Sequence, residues 1–165
     1  MSMIGNLLRV TESELKNYLE DSSLLLERIY NQDIEDENLV DIDKAWDGLI
    51  FLLTGQNTFN ANNHPLSKIL FSEQIIDEKQ DLGYGPAHYL TPEQVSELNN
   101  QISVITNNSL KVNFDPQKMN DSEVYPLIWE EGDDVFDYLV NAFSTVQNVY
   151  AKAAKNGEAI ITFLD

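Results

Sequence analysis

Residues 159–164, Ala-Ile-Ile-Thr-Phe-Leu, form an apolar run of strand length near the end of a chain of 165 residues. A second run, Leu-Leu-Arg-Val at residues 7–10, lies near its beginning. The simplest way to bury both runs is to place them side by side in one sheet. Between them, apolar residues recur at helical spacing. The sequence therefore predicts an α+β fold, a single compact domain over residues 1–165 with helices packed on a small sheet that includes the N- and C-terminal strands.

Cap and turn residues mark where the predicted helices begin and end. Thr11 and Thr91 are each followed three residues later by Glu or Gln, which is the spacing of a capping box. A further helix is predicted over residues 41–54, with Asp41 or Asp43 as its N-cap. Glycine after a periodic run predicts a left-handed C-terminal cap. The other predicted helix starts are Asp115 and Asp133-Asp134, and the predicted C-terminal caps are Gly55 and Gly157.

Acidic residues are concentrated between positions 31 and 43, where six of thirteen side chains are Asp or Glu. The segment shows no apolar periodicity that would bury it. The sequence therefore predicts that it is mobile.

The charge balance restricts the partners that the surface can attract. Ten Lys and Arg face 28 Asp and Glu, which gives a net charge of −18, while 42% hydrophobic and 10% aromatic residues are enough for a packed core. Nucleic acids and anionic membranes are poor partners because both recruit Lys and Arg. An acidic field instead attracts basic partners over long range, whether a protein patch, a polyamine or a metal ion.

Cysteine is absent, which excludes disulfides, thiolate nucleophiles and Cys-ligated metals. The N-terminal residues lack the basic and apolar parts of a secretory leader. The apolar stretch at residues 49–53 is far shorter than the roughly 20 residues of a membrane span. We therefore expect a cytoplasmic protein, with no cofactor or metal indicated by any motif.

Residues 41–48, Asp-Ile-Asp-Lys-Ala-Trp-Asp-Gly, resemble a calcium loop only in part. Trp46 stands where the turn requires Gly, and Leu52 stands where a bidentate Glu belongs. On a helix, Asp43 and Asp47 would share one face. The favoured interpretation is that Asp43 caps a helix, Trp46 is core and Asp47 points outward.

The two histidines, His64 and His88, lie beside turn residues. His88 belongs to Gly-Tyr-Gly-Pro-Ala-His-Tyr-Leu at residues 83–90, a stiff aromatic loop that lacks the third glycine of a dinucleotide fingerprint. Such a loop suits either a packing corner, which is favoured, or a ligand pocket. Trp129 is likewise favoured as a buried aromatic over a stacking platform. The carboxylates at residues 130–134 suit the dipole of the following helix, with a bound cation as the alternative.

Several blocks of the chain resemble the YfbM-like family, a set of small bacterial proteins of unknown function. The more specific blocks are the 41–49 run and Leu-Thr-Gly at 53–55. The others are residues 83–91, residues 119–129 and the two terminal blocks, 1–5 and 153–163, which are weak when taken alone. The resemblance implies a single cytoplasmic α+β domain and carries over no catalytic residue. It places Asp41, Asp43, Trp46, Asp47, Tyr84 and Pro86 inside the motif blocks.

Two functions fit these observations. The first is a non-catalytic binding module, of the inhibitor or immunity type, that presents an acidic surface to a basic protein partner. The second is a small enzyme or small-molecule binder in which the 41–47 helix and the 83–89 loop form an Asp/His/Tyr cleft for general acid/base chemistry. The candidate binding residues are Asp41, Asp43, Trp46, Asp47, Tyr84, His88, Tyr89 and Trp129.

Overall fold

The computed structural model describes residues 2–165, in which four strands form one sheet of order β2-β1-β4-β3 with every neighbouring pair antiparallel. Met1, where the family resemblance begins, lies outside the described residues. The two terminal strands are the central pair, in a register that runs from Gly5 opposite Leu164 to Val10 opposite Ala159. The predicted pairing of the chain ends is therefore confirmed. The strands are β1 (Gly5–Val10), β2 (Leu39–Asp41), β3 (His88–Leu90) and β4 (Ala159–Leu164).

Within the described residues, seven helices pack around this sheet. The predicted capping boxes at Thr11 and Thr91 are present, Asp115 accepts a hydrogen bond from the backbone of Lys118, and Gly55 and Gly157 both adopt the left-handed conformation. A helix that the sequence did not predict follows Thr106. The helices are α1 (Glu12–Glu20), α2 (Ser23–Ile29), α3 (Trp46–Thr54), α4 (Pro92–Ile102), α5 (Asn107–Val112), α6 (Pro116–Asp121) and α7 (Asp134–Asn156), with 3-10 turns at Asp43–Ala45 and Pro65–Ile69.

The sheet separates two hydrophobic cores. Because successive residues of a strand point to opposite faces, Leu7 and Ile160 pack with α3, α4 and α7, whereas Leu8 and Ile161 pack with α1 and α2. The result is a three-layer arrangement with helices on both faces of an antiparallel sheet. None of the helices within residues 2–165 is both long and apolar enough to cross a membrane.

The acidic segment at residues 31–43 is more ordered in its second half than the sequence predicted. Leu39 and Val40 are partly buried in β2, which pairs with β1 along one edge. The prediction of a mobile segment does not hold for residues 39–41, because pairing with the distant strand β1, rather than local spacing, partly buries Leu39 and Val40.

The predicted helix over residues 41–54 begins later, at Trp46. Asp41 ends β2, and Asp43 lies in a 3-10 turn with a φ of 52°, so neither side chain caps α3. The N-cap prediction was wrong because strand pairing holds Asp41 opposite Asn6 in the sheet.

Candidate functional site

A surface hollow of about 550 Å³ lies beside the start of α3. The loop after α3, the turn after α6 and the end of β4 form its walls. Aromatic or apolar side chains and polar side chains both line it. The aromatic or apolar ones are Trp46, Phe59, Phe71 and Leu164, and the polar ones are Asp47, Asn57, Thr58, Asn60 and Glu123.

The side chain of Asp47, in α3, binds two of these walls: the loop after α3 and the turn after α6. Asp47 is only 5% exposed. Its Oδ1 accepts hydrogen bonds from the backbone N–H of Thr58 at 2.7 Å and from the Thr58 hydroxyl at 2.6 Å, and its Oδ2 accepts from the backbone N–H of Tyr125 at 2.9 Å. The prediction of an outward Asp47 was therefore wrong. Two loops fold over this part of α3 and supply the donors that a buried carboxylate needs.

Trp46 is core, as predicted, and also borders the hollow. Its ring stacks on Tyr125 with centroids 5.4 Å apart and meets Phe71 edge-on at 5.7 Å. Its Nε1–H donates to the carbonyl oxygen of Met3 at 3.0 Å, while the Tyr125 hydroxyl accepts from the Met3 N–H at 3.0 Å. These contacts fix the segment before β1 against the hollow.

Three residues near Trp46 and Tyr125 have a strained backbone conformation. Asp43, Glu123 and Leu127 are non-glycine residues with positive φ values of 52°, 54° and 69°. Each such residue costs on the order of 1–3 kcal/mol and persists only where its surroundings hold it. Glu123 and Leu127 flank Tyr125, whose backbone N–H is bound by Asp47. The carboxylate of Asp47 is thus one of the groups that hold this strained loop in place.

A second surface feature joins the 3-10 turn before α3 to the start of α7. The Tyr138 hydroxyl donates to Asp43 Oδ2 at 2.9 Å and accepts from the backbone N–H of Lys44 at 3.0 Å. Burial first, and then the hydrogen bond and charge of Asp43, raise the pKa of Tyr138. We call the exposed carboxylates around this link the acidic face: Asp41, Asp43, Asp133, Asp134 and Asp137.

The glycine loop at residues 83–87 is held by the side chain of Asp81 and lies close to Asp165. The carboxylate of Asp81 accepts hydrogen bonds from the backbone N–H groups of Gly85 at 3.0 Å and Gly83 at 2.9 Å, which lower the pKa of Asp81. A Cβ on Gly83, at φ 128°, would lie 3.1 Å from the Cα of Asp165. Tyr84, at the tip, is 38% exposed and does not line the hollow.

His88 and Tyr89 follow this loop in β3 and point to opposite faces of the sheet. His88 Nδ1 lies 2.6 Å from the carbonyl oxygen of Ser72, so Nδ1 carries the proton and donates. The ring of Phe71 contacts both Trp46 and His88, with centroids 5.7 and 5.9 Å away. Neither His88 nor Tyr89 lines the hollow.

The Asp/His/Tyr cleft of the second hypothesis therefore does not form around this hollow. Asp47 is bound on both oxygens, Asp43 is turned toward Tyr138, and the aromatic ring of Phe71 occupies the space between α3 and His88. His64, the other histidine, accepts the backbone N–H of Leu66 at the start of a 3-10 turn. Within residues 2–165, no three His, Asp or Glu side chains are grouped so that they could hold a metal ion.

Trp129 has no exposed surface. Its Nε1–H donates to the carbonyl oxygen of Val124 at 2.7 Å, and its ring packs against the backbone of Gly48. The favoured interpretation as a buried aromatic is confirmed, and Trp129 offers no surface on which a ligand could stack.

Sequence reasoning missed most of the residues that shape the hollow, above all Phe59, Phe71 and Glu123. The available signal was Phe59, the one aromatic in the asparagine-rich loop over residues 56–65. At 88% exposure, it is the most exposed of the large apolar side chains described here.

The class of protein is a small three-layer α+β domain with paired terminal strands and a shallow aromatic hollow beside an acidic face. The family described as "Domain of unknown function (DUF1877)" matches residues 1–163, and the chain belongs to that family. Protein YfbM of Escherichia coli (strain K12) is 27% identical over 127 residues, which are 76% of this chain and 74% of YfbM.

The crystal structure of YfbM from Escherichia coli, described as a protein of unknown function, has the same fold. It superposes with a TM-score of 0.78 at 21% identity, covering 98% of this chain and 99% of that one. The resemblance to the YfbM-like family is thereby confirmed, together with the α+β fold that it implied.

Proposed function

We propose that this domain is a non-catalytic binding module, of the inhibitor or immunity type, whose acidic face docks a basic protein partner. The observation that supports the proposal most strongly is the concentration of five exposed carboxylates around the link between Asp43 and Tyr138. They come from β2, the following turn, the N-cap of α7 and its first turn. All but five of the 28 acidic side chains of the chain are exposed.

Ion pairing leaves this charge uncompensated. The ion pairs found within residues 2–165 join Arg9 to Glu158 and Arg28 to Glu14 and Asp36, so none of them includes the acidic face. The dipole of α7 accounts for acidic residues in its first turn. It does not account for Asp41 and Asp43, which lie outside that helix, and a basic partner would be attracted to the whole group.

Charge reversal tests the proposal. A variant with Asp133→Lys, Asp134→Lys and Asp137→Lys is compared with a control that changes the net charge equally through Glu12→Lys, Glu93→Lys and Glu97→Lys. All six residues are exposed, and both sets include first-turn helix positions. Circular dichroism first establishes that both variants are folded.

The immobilised proteins are then exposed to bacterial extract at low and at physiological ionic strength. We expect the native chain and the control to retain the same basic protein, more strongly at low ionic strength. We expect the acidic-face variant to lose it. Retention of no protein at low ionic strength, or equal loss by both variants, would contradict the proposal.

A further inference from the structure

We propose that the hollow beside α3 receives the guanidinium group of an arginine side chain supplied by the basic partner. This inference rests on the proposed function and adds a specific anchor to it. The long-range charge of the acidic face attracts any basic segment, whereas a shaped site distinguishes one cationic side chain from another.

The walls of the hollow suit a planar cation. Trp46, Phe71 and Phe59 are aromatic, and Phe59 is 88% exposed, so part of its ring is open to a partner. A guanidinium is planar and weakly hydrated, and it packs on aromatic rings while its aliphatic stem covers apolar surface. Leu164 supplies such a surface at the end of β4.

The charges of the hollow point to the same ligand. No Lys or Arg is among its lining residues. Both oxygens of Asp47 are bound by loop donors, whereas the exposed carboxylate of Glu123 makes no hydrogen bond or ion pair to any group within residues 2–165. Glu123 is therefore available to a cation, and two parallel hydrogen bonds to its carboxylate require the fork of an arginine. The compact, strongly hydrated ammonium of lysine cannot make this pair and also lie flat on an aromatic ring.

The hollow also lies within reach of a segment docked on the acidic face. Trp46 connects the two features, since it lines the hollow, where its ring stacks on that of Tyr125. Trp46 is also the residue that directly follows the 3-10 turn Asp43–Ala45, and Asp43 belongs to the acidic face. One short basic segment could thus contact both surfaces.

Two peptides of equal charge separate shape from charge: acetyl-Gly-Lys-Arg-Lys-Gly-amide and its counterpart with Lys in place of Arg. Binding to the full chain is followed by titration in NMR spectra at low ionic strength. We expect the arginine peptide to bind about two- to fivefold more tightly, the range of a cation–π contact at an exposed site. We also expect it alone to shift the resonances of Phe59 and Phe71.

Two variants test whether the tighter binding of the arginine peptide depends on the hollow. Phe59→Ala and Glu123→Gln should remove the preference for arginine, while Phe59→Ala leaves binding of the lysine peptide unchanged. The matched controls are Val112→Ala, at a side chain 83% exposed on α5, and Glu20→Gln, at an exposed residue of α1 on the opposite side of the sheet. Both controls should keep the preference.

Equal affinity of the two peptides for the native chain, or a preference that survives Phe59→Ala, would overturn the guanidinium site. The proposed function would still stand if both peptides bind and both are lost in the acidic-face variant. If neither peptide binds and no partner is retained from extract, the proposed function itself fails. Binding of free acetyl-arginine-amide as tightly as the arginine peptide would overturn the assignment to a protein partner.

Discussion

Replacing Asp47 with Asn is the sharpest test of how the two walls of the hollow are held. The native carboxylate accepts three hydrogen bonds, two from Thr58 and one from the backbone N–H of Tyr125. An amide of the same shape has one acceptor oxygen. If that oxygen faces Thr58, the Tyr125 N–H meets an NH₂ group, and if the amide is flipped, the Thr58 N–H loses its acceptor instead.

Either orientation leaves one buried backbone N–H without a partner. Leaving such a donor unsatisfied costs about 1–3 kcal/mol, and the remaining bonds weaken because they are no longer made to a charge. We therefore expect Asp47→Asn to lower the free energy of unfolding by about 2–4 kcal/mol. With a urea dependence of about 2 kcal/mol per M, the unfolding midpoint should fall by about 1–2 M.

Urea unfolding followed by tryptophan fluorescence measures the loss, and amide hydrogen exchange locates it. One of the two amides, Thr58 or Tyr125, should lose protection in Asp47→Asn, and both should lose it in Asp47→Ala. Asp134→Asn is the control, because Asp134 is exposed and should shift stability by no more than about 0.5 kcal/mol. A midpoint for Asp47→Asn equal to that of this control, with both amides still protected, would refute the reasoning.

Two further predictions concern the core and the ion pairs. Gly48→Ala places a Cβ 2.5 Å from Trp129 Cη2 and 2.7 Å from Leu139 Cδ2. This crowding should lower the free energy of unfolding by about 1–3 kcal/mol, which outweighs the gain of about 1 kcal/mol in helix propensity from glycine to alanine. We therefore expect a lower melting temperature. A raised melting temperature would contradict the close packing of Gly48 against Trp129. The hydrogen bond from Arg28 is the main cause that lowers the pKa of Asp36 in the folded protein. The ionised Asp36 side chain therefore stabilises the fold fully above the ordinary pKa of 3.8, and this stabilisation is lost as pH falls through the lower folded-state pKa. Asp36→Asn should therefore reduce stability at neutral pH, and the reduction should shrink as pH falls below 3.8. Denaturant unfolding of both proteins at neutral pH and below pH 3.8 measures it. A stability difference that does not change with pH would contradict the role of this ion pair.

Features that depend on a few neighbouring residues could be predicted from the sequence. The capping boxes at Thr11 and Thr91 form between residues three apart, and Gly55 and Gly157 end helices because glycine adopts positive φ at little cost. The terminal strands were also predictable, because two short apolar runs in a small domain must be buried together.

The candidate site could be predicted only in part for the same physical reason. The sequence indicated that Trp46 is core and that residues 41–48 form a distinctive block, and two residues of that block, Trp46 and Asp47, line the hollow. It did not reveal that Phe71, which follows the second 3-10 turn, and Glu123, from the turn after α6, complete the lining, because no local pattern links segments so far apart in the chain.

Residue type, spacing and caps thus determined the α+β class, the helix ends and the pairing of the first and last strands. The tertiary structure decided the direction of Asp47, the existence of β2 and the position of Phe71 between Trp46 and His88, so that the Asp/His/Tyr cleft of the second hypothesis does not form around the hollow. Local spacing predicted an outward carboxylate, but loops from residues 58 and 125 bring backbone N–H groups to it. A buried charge is tolerated where such donors form hydrogen bonds with it, and these bonds exist only in the folded chain because the donors come from separate segments.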